Sequence, residues 1–319
     1  MSSFAPMLLP RRVRWHLGGQ RMERGDHARP EAASPPSWCP SWDRISRNSQ
    51  ESRTIMATQI DHIVIAVRNL DAASRDYAGA GFNVLPGGEH TGGATHNALV
   101  TFNDGSYFEL IAFTQPDREP EPPHRWWNKL ARGEGLVDYA VLSEDLAQEA
   151  AEIQDRGAAI DGPYDGGRVR PDGQRVAWRT LRSSDSEDGL PFIIDDLTPR
   201  PLRVPNGASS HHPGNFSGVA GLTIVVADLA EAERAYTDVL GTKGEAVTSA
   251  IAGAGPARRF SVGDHWIELV EPDDAESALR AQLESRGSGP FEITLNGIGA
   301  GGEYLPESAT HGVRIRIER

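Results

Sequence analysis

The sequence predicts an α+β protein built from four βαβββ modules, the last one shortened, arranged as two pairs of curved mixed sheets with helices outside. The first observation is a segment that recurs three times: DHIVIAVRNLDAA from Asp61, VDYAVLSEDLAQE from Val137 and AGLTIVVADLAEA from Ala220. The second is that Gly-containing turns and shorter apolar runs of strand length follow each copy. The third is the composition, 38% hydrophobic and 24% charged over 319 residues, which suits a globular chain with room for two domains.

Each copy of the repeat predicts a strand followed by a helix. An apolar run of five to seven residues indicates a strand covered on both faces. A polar residue, an acid or Asn, and then a Leu indicate the start of an amphipathic helix. Further strands are predicted in FNVLPGG, THNALVTFNDG and SYFELIAF of the first module, in GAAIDGP, QRVAWRTLRS and LPFIIDDL of the second, and in ARRFSVGDHWIELVEP of the third.

The repeat also predicts the domain organisation. HRWWNKLARGEG and ESALRAQLESRGSG stand at corresponding places as connections, and THGVRIRIER closes the short fourth module. We expect a disordered N-terminal extension at 1–55, a first module pair at 56–198 with the candidate active site, a linker at 199–217, and a second, shortened pair at 218–319. The extension is rich in Arg, Ser and Pro, and we expect the natural product to begin at Met56.

Composition excludes several classes of function. Cys39 is the one cysteine, so no intrachain disulfide and no cysteine-based zinc site can form. The net charge is −13, and the first 55 residues carry nine Arg and five acids, which leaves an acidic body. An acidic body without a basic stripe argues against nucleic acid and anionic membranes as partners. With no apolar run long enough for a membrane span and no secretory signal, we expect a cytoplasmic protein that acts on a small molecule.

Candidate metal ligands follow from strand alternation. His62 shares its face with Val64, and Glu109 shares its face with Tyr107, so neighbouring first and last strands would bring His62 and Glu109 into one concavity. Aligning the second module on its helix start places Asp138 where His62 stands, and the last strand offers Asp195. One His and three carboxylates suit Mn, Fe, Ni or Zn. The alternatives are a structural His62, a salt-bridged Glu109 and two solvent-facing aspartates.

Other polar residues are candidates for the same cavity. His96 lies on a third strand and is a candidate ligand, acid–base residue or turn cap. Trp178 and Arg179 lie on opposite faces of their strand, and the Trp is the better candidate for an apolar wall. Candidates for the substrate pocket are Asn97, Tyr107, Trp178 and Arg179.

The second pair retains less of this pattern. Gly221 stands where His62 does, while Glu268 matches Glu109 and Glu292 matches Asp138. Two carboxylates without a His are weak support for a second metal site, so we expect this half to complete the fold, shield the groove or dimerise.

The stretches IDHIVIAV, THNALV, YFELIA, RPDGQRVAWR and LPFIID resemble, in this order and spacing, the vicinal oxygen chelate superfamily, and more narrowly its bacterial glyoxalase-like domain proteins. The resemblance covers residues 60–197 well and the second pair less well. It implies a U-shaped cleft whose metal ligands, carried over by position, are His62, Glu109, Asp138 and Asp195. Superfamily enzymes commonly have His, Gln or Glu where Asp138 stands, which is a departure.

The resemblance implies three functions that the sequence leaves open. The first is a divalent-metal-dependent lyase or isomerase that stabilises an enolate, with Glu109, Asp138 or His96 moving the proton. The second is a metal-free binding or resistance protein with an apolar, Trp-lined groove. The third is a ring-cleaving dioxygenase, which is disfavoured because four-module dioxygenases use a set of two His and a Glu in the second pair, and this second pair has no such set. A homodimer is compatible with this architecture.

Overall fold

The computed structural model describes residues 57–183, 189–298 and 301–319. The predicted extension at 1–55 and the expected start at Met56 lie outside the described residues. Within the described part of the chain, no helix combines the length and apolarity needed to cross a bilayer.

The first module pair forms a closed eight-stranded barrel. Its first module consists of β1 (Gln59–Ala66), α1 (Leu70–Gly79), β2 (Leu85–His90), β3 (Thr95–Thr101) and β4 (Tyr107–Phe113). A connecting helix and the second module follow as α2 (Trp127–Ala131), β5 (Gly135–Leu142), α3 (Leu146–Asp155), β6 (Ile160–Val169), β7 (Arg175–Ser183) and β8 (Phe192–Asp196). The strand order is β1-β4-β3-β2-β6-β7-β8-β5.

The first and last strands of each module are parallel neighbours, as the sequence predicts for a module that folds back on itself. β1 pairs with β4 and places His62 opposite Tyr107, while β5 pairs with β8 and places Ala140 opposite Phe192. The two modules join through the antiparallel pair β1 and β5, and β2 with β6 closes the barrel.

The second pair forms an open seven-stranded sheet. Between the pairs lie α4 (Arg200–Arg203) and a short 3-10 helix (Gly207–Ser210). The sheet elements are β9 (Phe216–Val225), α5 (Leu229–Leu240), β10 (Glu245–Val247), β11 (Ala254–Val262), β12 (His265–Pro272), α6 (Ala278–Arg286), β13 (Gly289–Gly297), β14 (Glu303–Tyr304) and β15 (Arg314–Glu318). The fourth module is indeed shortened, because within it the structure describes no helix between β13 and β15.

The polar residue before each repeated Leu is the N-cap of a helix. Asn69 accepts a hydrogen bond from a backbone N–H of α1, Asp145 accepts two from α3, and Asp228 accepts one from α5. These side chains satisfy donors that the first helical turn leaves free. The repeat in the sequence is therefore a repeat of strand, cap and helix.

One hydrophobic core joins the two halves. The outward faces of the barrel strands, with Ile63 and Tyr139 among them, belong to the same buried cluster as Leu222 and Ile293 of the open sheet. Inside this cluster the Tyr139 hydroxyl donates to the Tyr236 hydroxyl at 2.9 Å. The inward face of the barrel carries a separate cluster beside the cavity described next.

Candidate active site

A cavity of about 270 Å³ opens inside the barrel. Its walls are largely aromatic and its floor is polar: the rings of Trp126, Trp178 and Phe192 face the side chains of His62 and Glu109. The volume and the mixture of apolar walls with a few convergent polar groups are typical of a small-molecule site.

A buried carboxylate contacts the His62 ring at Nδ1 and orients it. Its Nδ1 lies 2.6 Å from Asp61 Oδ1, and Asp61 is fully buried. Burial alone would raise the pKa of Asp61, but the charge and hydrogen bonds of Arg203 and the charge of Arg200 hold it well below its usual range. Since an ionised Asp61 can only accept, His62 Nδ1–H donates to it and Nε2 is left to face the cavity.

An ion-pair network fixes Asp61 in turn. Arg203 donates to both oxygens of Asp61 at 2.8 Å, and it also donates to Asp196 and to the Tyr107 hydroxyl. Arg200 donates to Asp61 at 2.5 Å. Two arginines thus balance two aspartates, so this buried network is compensated in charge.

Glu109 lies between two imidazoles. His62 Nε2 is 3.6 Å from Oε2, His90 Nε2 is 3.3 Å from Oε1, and Asn97 Nδ2 donates to Oε1 at 2.6 Å. Burial would raise the pKa of Glu109, yet the hydrogen bond and charge of His90 and the charge of His62 outweigh it and lower the pKa to about 2. Glu109 is therefore ionised at neutral pH.

Several residues singled out in the sequence do line or support the cavity. His62, Glu109, Tyr107 and Trp178 line it, and Asn97 supports Glu109. The His62 ring stacks on Tyr107 with centroids 4.7 Å apart. The predicted juxtaposition of His62 and Glu109 follows from the parallel pairing of β1 and β4.

Asp138 is placed differently from the expectation. It lies opposite Val64 rather than His62 in the β1–β5 pair, and its carboxylate accepts hydrogen bonds from Arg125 and from Trp126 Nε1. Because β1 and β5 are antiparallel, residues at the same place in the two repeats do not lie opposite each other. The alignment on helix starts therefore does not bring Asp138 next to His62. Asp138 therefore lies in an ion pair beside the cavity and is not grouped with His62.

Asp195, Arg179 and His96 all lie on the outward faces of their strands. Asp195 is opposite Arg179 in the β7–β8 pair, while the inward positions of β8 are taken by Phe192 and Ile194. His96 faces a shallow groove beside α1, because the inward positions of β3 belong to Thr95 and Asn97. The expectation that these three residues line the cavity is corrected by strand alternation.

Four side chains that line the cavity are not among the candidates named from the sequence: His90, His124, Trp126 and Arg182. His90 lies in GGEHTGG, which resembles a glycine-rich turn, and its Nδ1 lies 2.8 Å from Thr95 Oγ1. His124 and Trp126 lie in HRWW, which resembles a connection, and Arg182 is the residue before the last one of β7. Burial and the nearby Arg125 lower the pKa of His124 to about 4, so His124 is neutral at pH 7. The sequence feature that points to His124 and Trp126 is the run of aromatic and basic residues in HRWW.

The donor atoms near Glu109 are of the kind that a divalent ion takes. The Nδ1 atoms of His62 and His90 are engaged by Asp61 and Thr95, so their Nε2 atoms both face the Glu109 carboxylate. Yet in the described part of the chain no group of three or more His, Cys, Asp or Glu side chains is arranged to hold a metal ion. The residues supply suitable atoms without enclosing a position for an ion.

Comparison with known proteins places the fold. A family profile described as "Glyoxalase-like domain" matches residues 60–240. A hypothetical protein from Staphylococcus aureus is similar in structure, with a TM-score of 0.62 and 14% identity over 81% of this chain and 98% of that one. A variant of 4-hydroxymandelate synthase from Streptomyces coelicolor has a TM-score of 0.52 and 13% identity over 76% and 71%. A search of curated proteins found no match.

Proposed function

Because this chain belongs to the glyoxalase-like domain family, a fold of paired βαβββ modules, we propose that it is an enzyme that moves a proton on a small molecule, as a lyase or an isomerase. The observation that carries the proposal is the buried Asp61–His62 pair, which directs His62 Nε2 into an aromatic cavity beside Glu109. A carboxylate that orients an imidazole is the arrangement of a general base.

His62 Nε2 takes a proton from a carbon next to a carbonyl group of the substrate. The C–H electron pair moves into the carbonyl to give an enolate, and the imidazolium that forms is its counter-ion. The imidazolium then returns the proton to the other face or to a neighbouring atom, which completes an isomerisation, or to a leaving group, which completes an elimination. Asp61 holds the ring and stabilises its positive charge throughout.

Glu109 supports His62 rather than acting as the base. With a pKa of about 2, its carboxylate is a weak proton acceptor at neutral pH. Its negative charge lies 3.6 Å from His62 Nε2, the atom that carries the proton after the abstraction step. This assignment differs from the sequence expectation, in which Glu109, Asp138 or His96 moves the proton.

The proposal is tested by exchange of substrate hydrogen with solvent. Wild-type protein is incubated in D₂O with a panel of small α-hydroxy and α-keto carbonyl compounds, and C–D formation is followed by NMR. We expect exchange with at least one compound and a loss of about 10²–10⁴-fold in His62→Ala. Exchange that persists in His62→Ala contradicts the assignment of the base. Saturable binding of panel members with no exchange in the wild type would favour the binding-protein alternative.

A metal-dependent form of the reaction is the second candidate. It is favoured by the convergence of His62 and His90 on Glu109, which supplies two imidazole nitrogens and a carboxylate. A divalent ion bound there would act as a Lewis acid toward the enolate oxygen. Elemental analysis of untagged protein tests it: about one equivalent of Mn, Fe, Ni or Zn, lost in His62→Ala and in His90→Ala, supports a metal site, and none after soaking with these ions rejects it.

A further inference from the structure

A second, smaller cavity of about 90 Å³ adjoins the barrel cavity. The two share Trp126, Arg182 and Phe192 as walls. We call the smaller one the cationic pocket, because Arg125, Lys129 and Arg182 line it together with a single described carboxylate, Asp138. The two cavities are therefore neighbours that meet at Trp126, Arg182 and Phe192.

The positive charges of the cationic pocket exceed its negative charge. Asp138 pairs with Arg125, which also lies over the Trp126 and Phe192 rings at 5.0 and 4.8 Å. Lys129 Nζ donates to the carbonyl oxygen of Val137 at 2.8 Å, and no described carboxylate pairs with it.

Arg182 is the least compensated of the three cations. It lies over the Tyr164 ring at 4.6 Å, and within the described chain it forms no ion pair. Among the described lining residues, three cations against one carboxylate leave an excess of two positive charges. A cationic cavity with low-dielectric aromatic walls attracts an anion.

Burial and the crowding of these cations lower the pKa values of two of them. Burial and the charge of Arg182 lower the pKa of Arg125 to about 9. Burial and the charge of Arg125 lower the pKa of Lys129 to about 8. Both shifts have the direction expected of partly buried like charges, whose protonated forms an anion would stabilise.

We propose that the cationic pocket binds an anionic group, a carboxylate or a phosphate, of a small substrate whose apolar or aromatic body occupies the barrel cavity. The inference rests on the proposed function, to which it adds the substrate class. A guanidinium without a carboxylate partner offers the fork of donors that carboxylate and phosphate oxygens accept. Arg182, which lines both cavities, is the specificity-determining residue.

Calorimetric titration with benzoate, phenyl phosphate and benzyl alcohol tests the proposal. We expect at least one of the two anions to bind the wild type and the neutral alcohol to bind at least 10-fold more weakly; the tighter anion identifies the group. Arg182→Gln should weaken anion binding by at least 10-fold. Arg179→Gln, three residues before Arg182 and on the outward face of β7, is the matched control and should change the affinity by less than 2-fold.

Equal binding of the alcohol, equal losses in both variants, or no saturable binding of either anion would overturn the proposal. The salt dependence of wild-type binding is a second measurement that does not require a variant to fold: anion affinity should fall as NaCl rises from 0.05 to 0.5 M. Because the probes do not react, the result is independent of the proton-transfer proposal. His62→Ala should lose hydrogen exchange and keep anion binding. The two measurements therefore show separately whether the proton-transfer proposal or the anion-binding proposal fails.

Discussion

At the scale of single residues, the geometry of the candidate site depends on a carboxylate that is buried away from water. Asp61 is fully buried and would be costly there without partners. Arg203, which is 1% exposed, supplies two hydrogen bonds to it from a segment more than 140 residues away in the sequence. The orientation of His62 thus depends on a contact that only the folded chain creates.

Asp61→Asn should both weaken the fold and impair proton transfer. The neutral amide leaves Arg200 and Arg203 against one carboxylate, Asp196, and an unbalanced buried charge typically costs about 3–5 kcal/mol in the free energy of unfolding. The amide also presents a donor as well as an acceptor to His62 Nδ1, so it no longer fixes the tautomer. Urea unfolding measures the first effect. The double variant Asp61→Asn with Arg203→Met removes the unpaired cation and should recover part of the stability; an additive loss would contradict the pairing.

Glu109 should make stability depend on pH in the acid range. Its folded pKa of about 2 lies below the ordinary value of 4.5, so its contribution is fully present above pH 4.5 and is lost as the pH falls toward 2. The shift corresponds to roughly 3 kcal/mol at full effect. The difference in unfolding free energy between the wild type and Glu109→Gln should therefore shrink as the pH falls from 4.5 toward 2.

Glu119→Gln, in an exposed loop, is the control for the pH experiment and should show no such dependence. A difference between the wild type and Glu109→Gln that stays flat down to pH 3 would mean that the imidazoles do not stabilise the Glu109 carboxylate.

Sequence reasoning identified residues of the site when strand alternation and parallel pairing sufficed. His62 and Glu109 lie on adjacent parallel strands, so their faces could be counted. His96 and Asp195 were placed wrongly because the inward face of a strand cannot be fixed without its partner. His90 and Arg203 could not be found, since neither periodicity nor spacing relates β2 or α4 to His62.

At the scale of elements, the second module pair has no histidine at the position that corresponds to His62, and the reason is steric. Gly221 of β9 lies opposite Trp266 of β12, in the same register as His62 and Tyr107 in the barrel. The Trp266 indole covers Gly221 so closely that a Cβ there would overlap the ring. The Arg259 guanidinium lies over the Trp266 ring, 4.2 Å from its centroid, and forms an ion pair with Glu268.

Gly221→Ala should destabilise the protein by about 1–3 kcal/mol, because the added methyl group has to displace the Trp266 indole. Thermal unfolding gives the size of the effect. The cause is tested in a Trp266→Ala background, where the same substitution should cost much less. An equal cost in both backgrounds would show that the loss arises from the strand itself and not from the indole.

The elements themselves were predictable because each module repeats the same local signals. Strand, cap and helix follow one another in three copies, and the caps Asn69, Asp145 and Asp228 confirm the helix starts. The segment at 199–217 was expected to be a linker from its Pro, Gly and Ser. It contains α4, whose Arg203 is buried against the barrel, a contact that composition does not reveal.

At the scale of the whole molecule, the two module pairs are joined by packing as well as by chain connection. The described residues, from 57 onward, belong to one compact unit. The strand faces that point out of the barrel and the covered face of the open sheet contribute to one buried cluster, which also contains the Tyr139–Tyr236 hydrogen bond. A substitution in the open sheet should therefore be felt in the barrel that holds the candidate site.

Leu222→Ala tests this coupling, because Leu222 is fully buried in β9 within the shared cluster. The cavity should lower the free energy of unfolding by about 2–5 kcal/mol. If the halves unfold together, native-state hydrogen exchange will show the same loss of protection at the slowest amides of β1 as at those of β9. Ile298→Ala, an 83% exposed side chain directly after β13, should change neither. Unchanged protection in β1 beside a loss in β9 would mean that the barrel is stable without its partner sheet, and that the second pair does not support the site.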